Sequence, residues 1–449
     1  MATLARAACT PGAVDATTPA PGSTVTCTGN TVNQNVDAGY GTGNQTGITI
    51  NVGDGASVES VGKIGMWVGD AVIRNGLGAS VLGRTSGIDA ATGSLAVTNY
   101  GSITGTNGVG ISASAGAASV INFGTISSTN GTGITASSNL TLTNQAGGAV
   151  RGAVDGVVST AGGITVDNAG NITGTNAAAI DALTDITVTN RAGGVISGGT
   201  RGIFSRGGNI TIDNAGSITS TGGVATVSAG FNSVKLINRA GASIGGSVAA
   251  FKTVDVENAG DIGGISGQNV RVVNTATGTI GSIASIAGAD IVNFGNVTDV
   301  RTSGTLVNHA GGNIGTILGA GALSVTNFGT MGGWGAASAN CNLSTMWEPP
   351  SAARRWRLWE APYTRRRSST QAPSAAASPR CISRAAATRS RWRQPPSSPG
   401  WSGPPSLATR CSSVAPAPAA SISQNSSRGS QISILVSQPS TRSIARCGR

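Results

Sequence analysis

Residues 166–172 of the chain read VDNAGNI. Related stretches read VTNYGSI at 97–103, INFGTI at 121–126 and VTNFGT at 325–330. The alternation of apolar and polar residues before each Asn is typical of β-strands, and Gly and Asn favour turns. Because no segment keeps a 3.6-residue period, the sequence predicts short strands and turns without helices.

The Asn of this motif recurs at intervals of 15 to 24 residues. The marker residues are Asn51, Asn75, Asn99, Asn122, Asn144, Asn168, Asn190, Asn214, Asn238, Asn258, Asn274, Asn293, Asn308 and Asn327. A second set of markers runs in phase at 23-residue steps from Ile88 to Ile203. Units of this size cannot bury a core alone, whereas stacked units can. The spacing therefore predicts an all-β fold, a right-handed parallel β-helix (solenoid) with rungs of roughly 20–24 residues.

The marker Asn residues have a predicted structural role. Stacked at one corner, their side chains can form a ladder of hydrogen bonds from rung to rung. Asn also tolerates the left-handed backbone of a tight corner. No Pro occurs between Pro21 and Pro349, as expected where every rung needs its backbone N–H groups. Gly-rich coil is the alternative, but it would lack Val and Ile at a fixed phase.

The chain consists of two compositionally different parts. Residues 1–334 hold 13 basic and 16 acidic residues, whereas residues 335–449 hold 16 Arg and two Glu. The overall net charge of +11 therefore comes from the C-terminal part. The predicted organisation is an N-terminal cap over 1–46, a parallel β-helix over 47–334 and a disordered tail over 335–449 that is rich in Arg, Pro and Ser.

The rung motif resembles the passenger domains of bacterial type V autotransporters. Residues 9–11 (CTP), 21–29 (PGSTVTCTG) and 39–43 (GYGTG) are similar to the segments that precede the β-helix in these proteins. The resemblance implies a passenger at the cell surface or outer membrane, or secreted, carried out by a C-terminal membrane barrel. This sequence shows neither the alternating strands of such a barrel nor a recognisable signal peptide.

Cys9 and Cys27 are the two cysteines of residues 1–334. Their separation suits a disulfide in the cap of an exported protein, which the resemblance implies. Two unpaired thiols are the alternative.

The tail has two interpretations. Its Arg and Trp residues are suited to phosphate and base contacts, as in a basic nucleic-acid-binding segment. We favour translation out of frame, because GC-rich Gly and Ala codons yield Arg, Pro, Ala, Ser and Trp in another frame. Read one nucleotide earlier, the codons around Met346 give Asn, Asp, His or Tyr, then Val-Gly, then Thr or Ala, which includes a rung corner. The DNA sequence beyond codon 333 tests this hypothesis.

The sequence offers little for catalysis or metal binding. The single His, His309, occupies a corner position that other rungs fill with Tyr100 or Phe123. The carboxylates are spread along the chain, and the pair Asp181 and Asp185 is expected to be solvated. The four tail cysteines form no CxxC pair. We therefore predict no catalytic, cofactor-binding or metal-binding residues, and no cofactor.

These observations favour a non-enzymatic surface passenger, an adhesin-like stalk that presents binding loops. Its partner would be a host or surface ligand, either protein or glycan, and nucleic acid is not the expected partner. The longer loops before Asn238 are the better candidates for contacts. A β-helical polysaccharide-active enzyme and a nucleic-acid-binding protein with a basic tail are the alternatives.

Overall fold

The computed structural model describes residues 8–15, 17–336, 341–346 and 445–446, with side chains through residue 335. These residues form an all-β parallel solenoid with rungs of about 22 residues, which confirms the predicted fold class. No helix is present among them, and hence none with the length and hydropathy to span a bilayer. Each rung up to residue 238 has three short strands, which we call the first, second and third strands.

The strands of the three-strand rungs stack in three columns, each in parallel register. The first strands are Thr24–Thr28, Ile48–Val52, Ala71–Asn75, Leu95–Asn99, Ala118–Asn122, Leu140–Asn144, Ile164–Asn168, Ile186–Asn190, Ile210–Asn214 and Val234–Asn238. The second strands are Asn30–Val32, Ser57–Ser60, Ser80–Gly83, Ser102–Gly105, Thr125–Ser128, Ala149–Gly152, Asn171–Gly174, Val195–Gly198 and Ser217–Ser220. The third strands are Ala38–Tyr40, Ile64–Val68, Ser86–Ala90, Val109–Ala113, Ile134–Ala136, Val157–Ser159, Ala178–Ala182, Arg201–Ser205 and Val227–Ala229.

Beyond Asn238 the three strands of a rung merge into one long strand. The long strands are Ser243–Asn258, Asp261–Asn274, Thr279–Asn293, Asn296–Asn308 and Asn313–Asn327. Register shifts between neighbouring long strands replace the loops, for example between Ala250 and Thr253. The shorter spacing of the marker Asn residues after Asn238 therefore reflects lost loops rather than lost pairing.

All three columns contribute to the core, and one part of it is a file of apolar side chains that point inward from the third strands. In-register partners are Ile88, Ile111, Ile134, Val157, Ile180 and Ile203, which continue through Val227 and Val248 into the long strands. These side chains are fully buried. Burying each one contributes about 1.5–3 kcal/mol, so stacking supplies the core that no single rung could form.

The marker Asn residues from Asn75 to Asn327 form a continuous column of side-chain amides. Each Nδ2 donates to Oδ1 of the next marker Asn, at 2.8 Å from Asn75 to Asn308 and at 2.6 Å for the last step. The column has a polarity, since every amide donates toward the C-terminal end. Each Nδ2 also reaches a backbone carbonyl at the corner, as Asn168 does with Gly170 at 3.0 Å. We call this column the amide ladder.

Asn51 does not belong to the ladder, contrary to the sequence prediction. The register of the first strands places Asn51 opposite Arg74, and Val52 opposite Asn75. The ladder therefore begins at Asn75, whose buried Oδ1 has no hydrogen-bond partner. The 24-residue step from Asn51 to Asn75 matched the other marker steps. The observed register instead pairs Asn75 with Val52, which lies 23 residues earlier.

The corners also depart from the predicted backbone conformation. Among the described residues, Asn33 is the one non-Gly residue with positive φ, so the ladder Asn residues are not left-handed. Their role is hydrogen bonding. The Gly two residues after a ladder Asn, such as Gly170 after Asn168, is required because no side chain fits there. A Cβ on Gly170 would lie 2.2 Å from the carbonyl oxygen of Gly148. The left-handed position falls instead on residues such as Gly147, with φ of 84°.

The N-terminal segment closes the solenoid with an antiparallel strand, Ala8–Thr10, which pairs with Thr24–Thr28. Cys9 and Cys27 face each other in this pair and form a disulfide. The Gln34 side chain caps the strand by accepting from the Cys9 N–H and donating to the Cys9 carbonyl. Burial raises the pKa of Tyr40 to about 12. Parallel pairing starts at Thr24, inside the segment predicted to be the cap.

Near the predicted boundary at residue 334, pairing continues. The strand Thr330–Ala336 crosses the boundary, and Cys341–Met346 pairs in parallel with the end of the last long strand. Its register places Met346 opposite Asn327, at the next ladder position. Apart from residues 335–336, 341–346 and 445–446, the predicted tail lies outside the described residues, and the out-of-frame hypothesis stays a prediction.

Candidate ligand-binding groove

Apart from Asn51, the structural residues predicted from the sequence lie in the ladder and the cap. His309 stacks on Phe294 with ring centroids 4.1 Å apart and lies 6.4 Å from Phe328. Tyr100 and Phe123 stack in the same way at 4.7 Å. His309 is thus part of an external column of rings beside the ladder, as its corner position indicated.

A candidate site lies on the outward face of the third strands. One outward residue per rung forms an in-register file: Trp67, Asp89, Ser112, Thr135, Val158, Asp181, Phe204 and Ser228. We call this row the third-strand file. It contains two aromatic rings, and most of its other residues carry hydroxyl or carboxyl groups.

The third-strand file is buried or half-buried although its side chains point away from the core. Ser112, Val158 and Asp181 are 7–9 % exposed, whereas the outward residues Val72 and Ile121 of the first strands are 56 % and 40 % exposed. Each third strand is flanked in sequence by loops at both ends. We call the outward face of the third strands, together with these loops, the third-strand groove.

Glycine keeps the floor of this groove flat. The outward position two residues before the file is Gly in most rungs, including Gly87, Gly110 and Gly133. A Cβ on Gly110 would lie 2.5 Å from the carbonyl oxygen of Gly133, and the other positions are similarly tight. Side chains are thus excluded by the backbone of the neighbouring rung.

Three charged residues from adjacent rungs, Asp155, Asp181 and Arg206, lie close together. Arg206 donates two hydrogen bonds to Asp181, from Nε to Oδ1 at 3.1 Å and from Nη2 to Oδ2 at 2.7 Å. Asp155 Oδ1 accepts a hydrogen bond from the Ala178 N–H at 2.9 Å. Burial raises the pKa of Asp155, the Ala178 N–H lowers it, and the nearby Asp181 raises it further while Arg206 opposes this. The hydrogen bond from Arg206 in turn raises the pKa of the guanidinium.

Arg201 and Phe204 contact each other within the third strand Arg201–Ser205. The Arg201 guanidinium carbon lies 4.4 Å from the centroid of the Phe204 ring, a cation–π contact. The Arg201 Nε is buried and has no hydrogen-bond partner. An unsatisfied buried donor costs about 1–3 kcal/mol, and such atoms in native structures call for an explanation.

A polar network occupies the N-terminal half of the groove. Ser114 Oγ lies 2.7 Å from Asp89 Oδ1, to which it donates, and 2.9 Å from Ser112 Oγ. Hydroxyl groups that are linked in this way can exchange donor and acceptor roles when a ligand arrives. The groove therefore offers oriented hydrogen-bonding groups along several rungs.

A second concave surface lies on the outward face of the first strands. It has a volume of about 550 Å³ and is lined by Thr49, Asp70 and Ser119 among mostly small residues. Its lining contains one charged group and no aromatic ring. It lacks the converging charges of the third-strand groove, which is the stronger candidate.

Sequence reasoning did not find this groove. It treated Asp181 as solvated and paired it with Asp185, but Asp185 lies at the next corner, where its Oδ1 accepts from the Asn209 N–H. Asp155, Asp181 and Arg206 are separated by 26 and 25 residues, close to one rung per step. That spacing was the available signal.

Within the described residues, no group of three or more His, Cys, Asp or Glu side chains is arranged to hold a metal ion. The chain matches no family model, no curated protein and no solved structure.

Proposed function

We propose that the chain is a non-enzymatic passenger of a bacterial type V autotransporter, an adhesin-like stalk at the cell surface. The observation that carries this proposal is the continuous parallel solenoid, because the rung motif resembles those passengers and the fold is compatible with one. The amide ladder alone covers twelve steps, or roughly 60 Å at about 4.8 Å per rung.

The mechanism of such a stalk is presentation. The core file and the amide ladder, which runs from Asn75 to Asn327, resist bending, while outward side chains and loops are free to vary. In this proposal the third-strand groove makes the ligand contacts. The long-strand rungs hold it away from the membrane.

Surface labelling of the native protein tests this proposal. Antibodies raised against the purified chain should label intact cells of the source organism, and protease added to intact cells should remove the signal. Labelling that requires permeabilised cells would contradict it.

One observation favours a second candidate function, a β-helical polysaccharide-active enzyme. Asp155 and Asp181 lie close together, and the raised pKa of Asp155 is a feature of general acids in glycosidases. Incubation of the purified chain with soluble polysaccharides distinguishes the two functions. Release of reducing ends that is abolished by Asp155→Asn would favour the enzyme, whereas intact polysaccharide favours the stalk. A nucleic-acid-binding function depends on the tail, mostly outside the described residues.

A further inference from the structure

We infer that two copies of this chain associate through one face of the solenoid, with their axes antiparallel. The face is the outward side of the first strand Val234–Asn238 and of the final segments of the next three long strands, at 254–258, 270–274 and 289–293. We call it the charged face. The inference goes beyond the proposed function, because it depends neither on where the chain is located nor on its ligand.

The outward charges of this face alternate in sign from rung to rung. In-register neighbours are Lys235, Asp255, Arg271 and Asp290, which we call the charged file. All four side chains are exposed. The order is therefore positive, negative, positive, negative over three rung steps, which span roughly 14 Å.

The charged file is not neutralised within the chain. Among the described residues, none of its four members belongs to an ion pair, whereas Arg239 at the nearby corner forms a bidentate pair with Asp213. Asp290 accepts one hydrogen bond, from the Thr305 hydroxyl at 2.7 Å. The charges are thus available to a partner.

A second copy matches this order when its axis is antiparallel. A two-fold axis along the strand direction, midway between the rungs of Asp255 and Arg271, reverses the order of the rungs. It places Asp255 opposite Arg271 of the second copy and Lys235 opposite Asp290 of the second copy. All four contacts then join opposite charges, whereas a parallel arrangement with level rungs brings equal charges together.

A row of apolar side chains lies beside the charged file. Ile237, Val273 and Val292 each follow a member of the file by two residues, on the same face. Val273 is 42 % exposed, and the other two are half-buried. The antiparallel arrangement covers Ile237 with Val292 of the second copy, so apolar surface is buried beside the charges. Glu257 interrupts the row and lies within diagonal reach of Arg271 of the second copy.

The spacing of the charges favours another solenoid over other partners. An extended peptide presents residues of one side about 6.6–6.8 Å apart, whereas successive rungs are about 4.8 Å apart. A nucleic acid, which carries charges of one sign, would meet repelling groups at alternate rungs. A stack with the same rung repeat matches four successive charges.

The size of the charged face predicts a weak dimer. Four rungs of five-residue strands cover roughly 19 Å by 16 Å. This is less than the contact of a stable interface, which buries about 800 Å² per partner. We therefore expect reversible association that depends on the charges and on the ionic strength.

Analytical ultracentrifugation of the full chain tests the inference. At about 50 mM NaCl the chain should dimerise with a dissociation constant on the order of 100 µM, and about 500 mM NaCl should weaken the dimer. Asp255→Arg and Arg271→Asp each place like charges opposite each other and should weaken it about tenfold or more. The matched controls are Asp261→Arg and Arg301→Asp, which make the same charge changes at exposed positions on other faces of the long strands. They should leave the dimer unchanged.

A mixture of the two charge-reversal variants separates association from folding. One variant carries two positive charges at the centre of its face, and the other carries two negative charges. Mixed together they should form a heterodimer about as tight as the wild-type dimer. The chain that carries both substitutions should also dimerise like the wild type, because opposite charges again meet across the two-fold axis.

Three results would overturn the inference. The first is a monomeric wild-type chain at about 0.5 mM protein in low salt, which would leave the charged face to another partner or to none. The second is association that neither charge reversal weakens, which would place the contact elsewhere, such as in the basic tail. The third is a mixture and a double variant that associate no better than the single variants.

Discussion

The three-strand rungs up to Asn238 and the long-strand rungs after Ser243 build the same ladder in different ways. In the first region, loops separate the strands and reach charged partners in neighbouring rungs. In the second region, register shifts inside continuous strands replace the loops. The amide ladder continues from the first region into the second, and the distance from Nδ2 to the next Oδ1 stays at 2.8 Å.

The comparison separates what holds the solenoid from what varies on it. The core file and the ladder are common to both regions, so the fold depends on them rather than on the corners. All ion pairs among the described side chains fall in the first region, as does the third-strand groove. Loops therefore add local ion pairs to a frame that is continuous without them.

The largest effect is expected from the core. Ile134→Ala and Ile283→Ala remove fully buried side chains from the first and second region, and each should lower the free energy of unfolding by about 2–5 kcal/mol. Val72→Ala, at an exposed position, should change it little. Denaturant unfolding measures all three. If Ile283→Ala left the free energy of unfolding nearly unchanged, this would show that the two regions do not share one core.

The ladder should matter equally in both regions. Asn168→Ala and Asn293→Ala each remove one amide, so the preceding Asn loses one acceptor and the buried Oδ1 of the next Asn loses its donor, at a cost of about 1–3 kcal/mol. Asn171→Ala, on the exposed face of a second strand, is the control. Thermal and denaturant unfolding provide the comparison. If Asn293→Ala lowered the stability no more than Asn171→Ala does, the ladder would not stabilise the long-strand region.

Extending the ladder by one rung should be nearly neutral. Val52→Asn places an amide opposite Asn75 and supplies a donor for its orphaned Oδ1, which offsets the lost burial of Val52. Val58→Asn is the matched control, since this buried Val lies opposite Val81 and has no amide beside it. It should cost about 2 kcal/mol or more. Equal losses of unfolding free energy in the two variants would contradict the ladder's register.

The smallest effect should come from the bidentate pairs between loops and strands. The Arg239 hydrogen bonds lower the pKa of Asp213, so the pair stabilises the fold at neutral pH. Because the folded pKa lies below the unfolded value of about 3.9, this stability is lost as pH falls through the folded pKa. Unfolding midpoints at pH 7 and pH 3 should therefore show less acid sensitivity in Asp213→Asn. A double-mutant cycle with Arg239→Gln isolates the interaction energy of the Asp213–Arg239 pair. If Asp213→Asn left the pH dependence of unfolding unchanged, the predicted contribution of this pair would be contradicted.

Much of the fold could be predicted because it repeats. The Asn and Ile markers recur in phase, and any regular stack puts residues of equal phase in one file, as seen for Ile111 and Ile134. The same reasoning assigned Asn51 wrongly. Spacing alone cannot show that one rung is a residue shorter, since strand register is decided by corner geometry and packing.

The groove could not be predicted in the same way. Burial of Asp181 depends on how far loops of neighbouring rungs extend, and its partners lie on two of those loops. Loop residues such as Asp155 and Arg206 do not repeat, so periodicity carries no information about them. A search for charged residues offset by about one rung would have found the set, without showing that it is buried.

The most direct test of the shared frame is nuclear magnetic resonance of the ladder side chains. A scalar coupling across the hydrogen bond should connect the Asn168 side-chain nitrogen to the Asn190 side-chain carbonyl carbon, and likewise Asn274 to Asn293. Both side-chain amides should exchange slowly with solvent. Rapid exchange and no coupling in either pair would contradict the account.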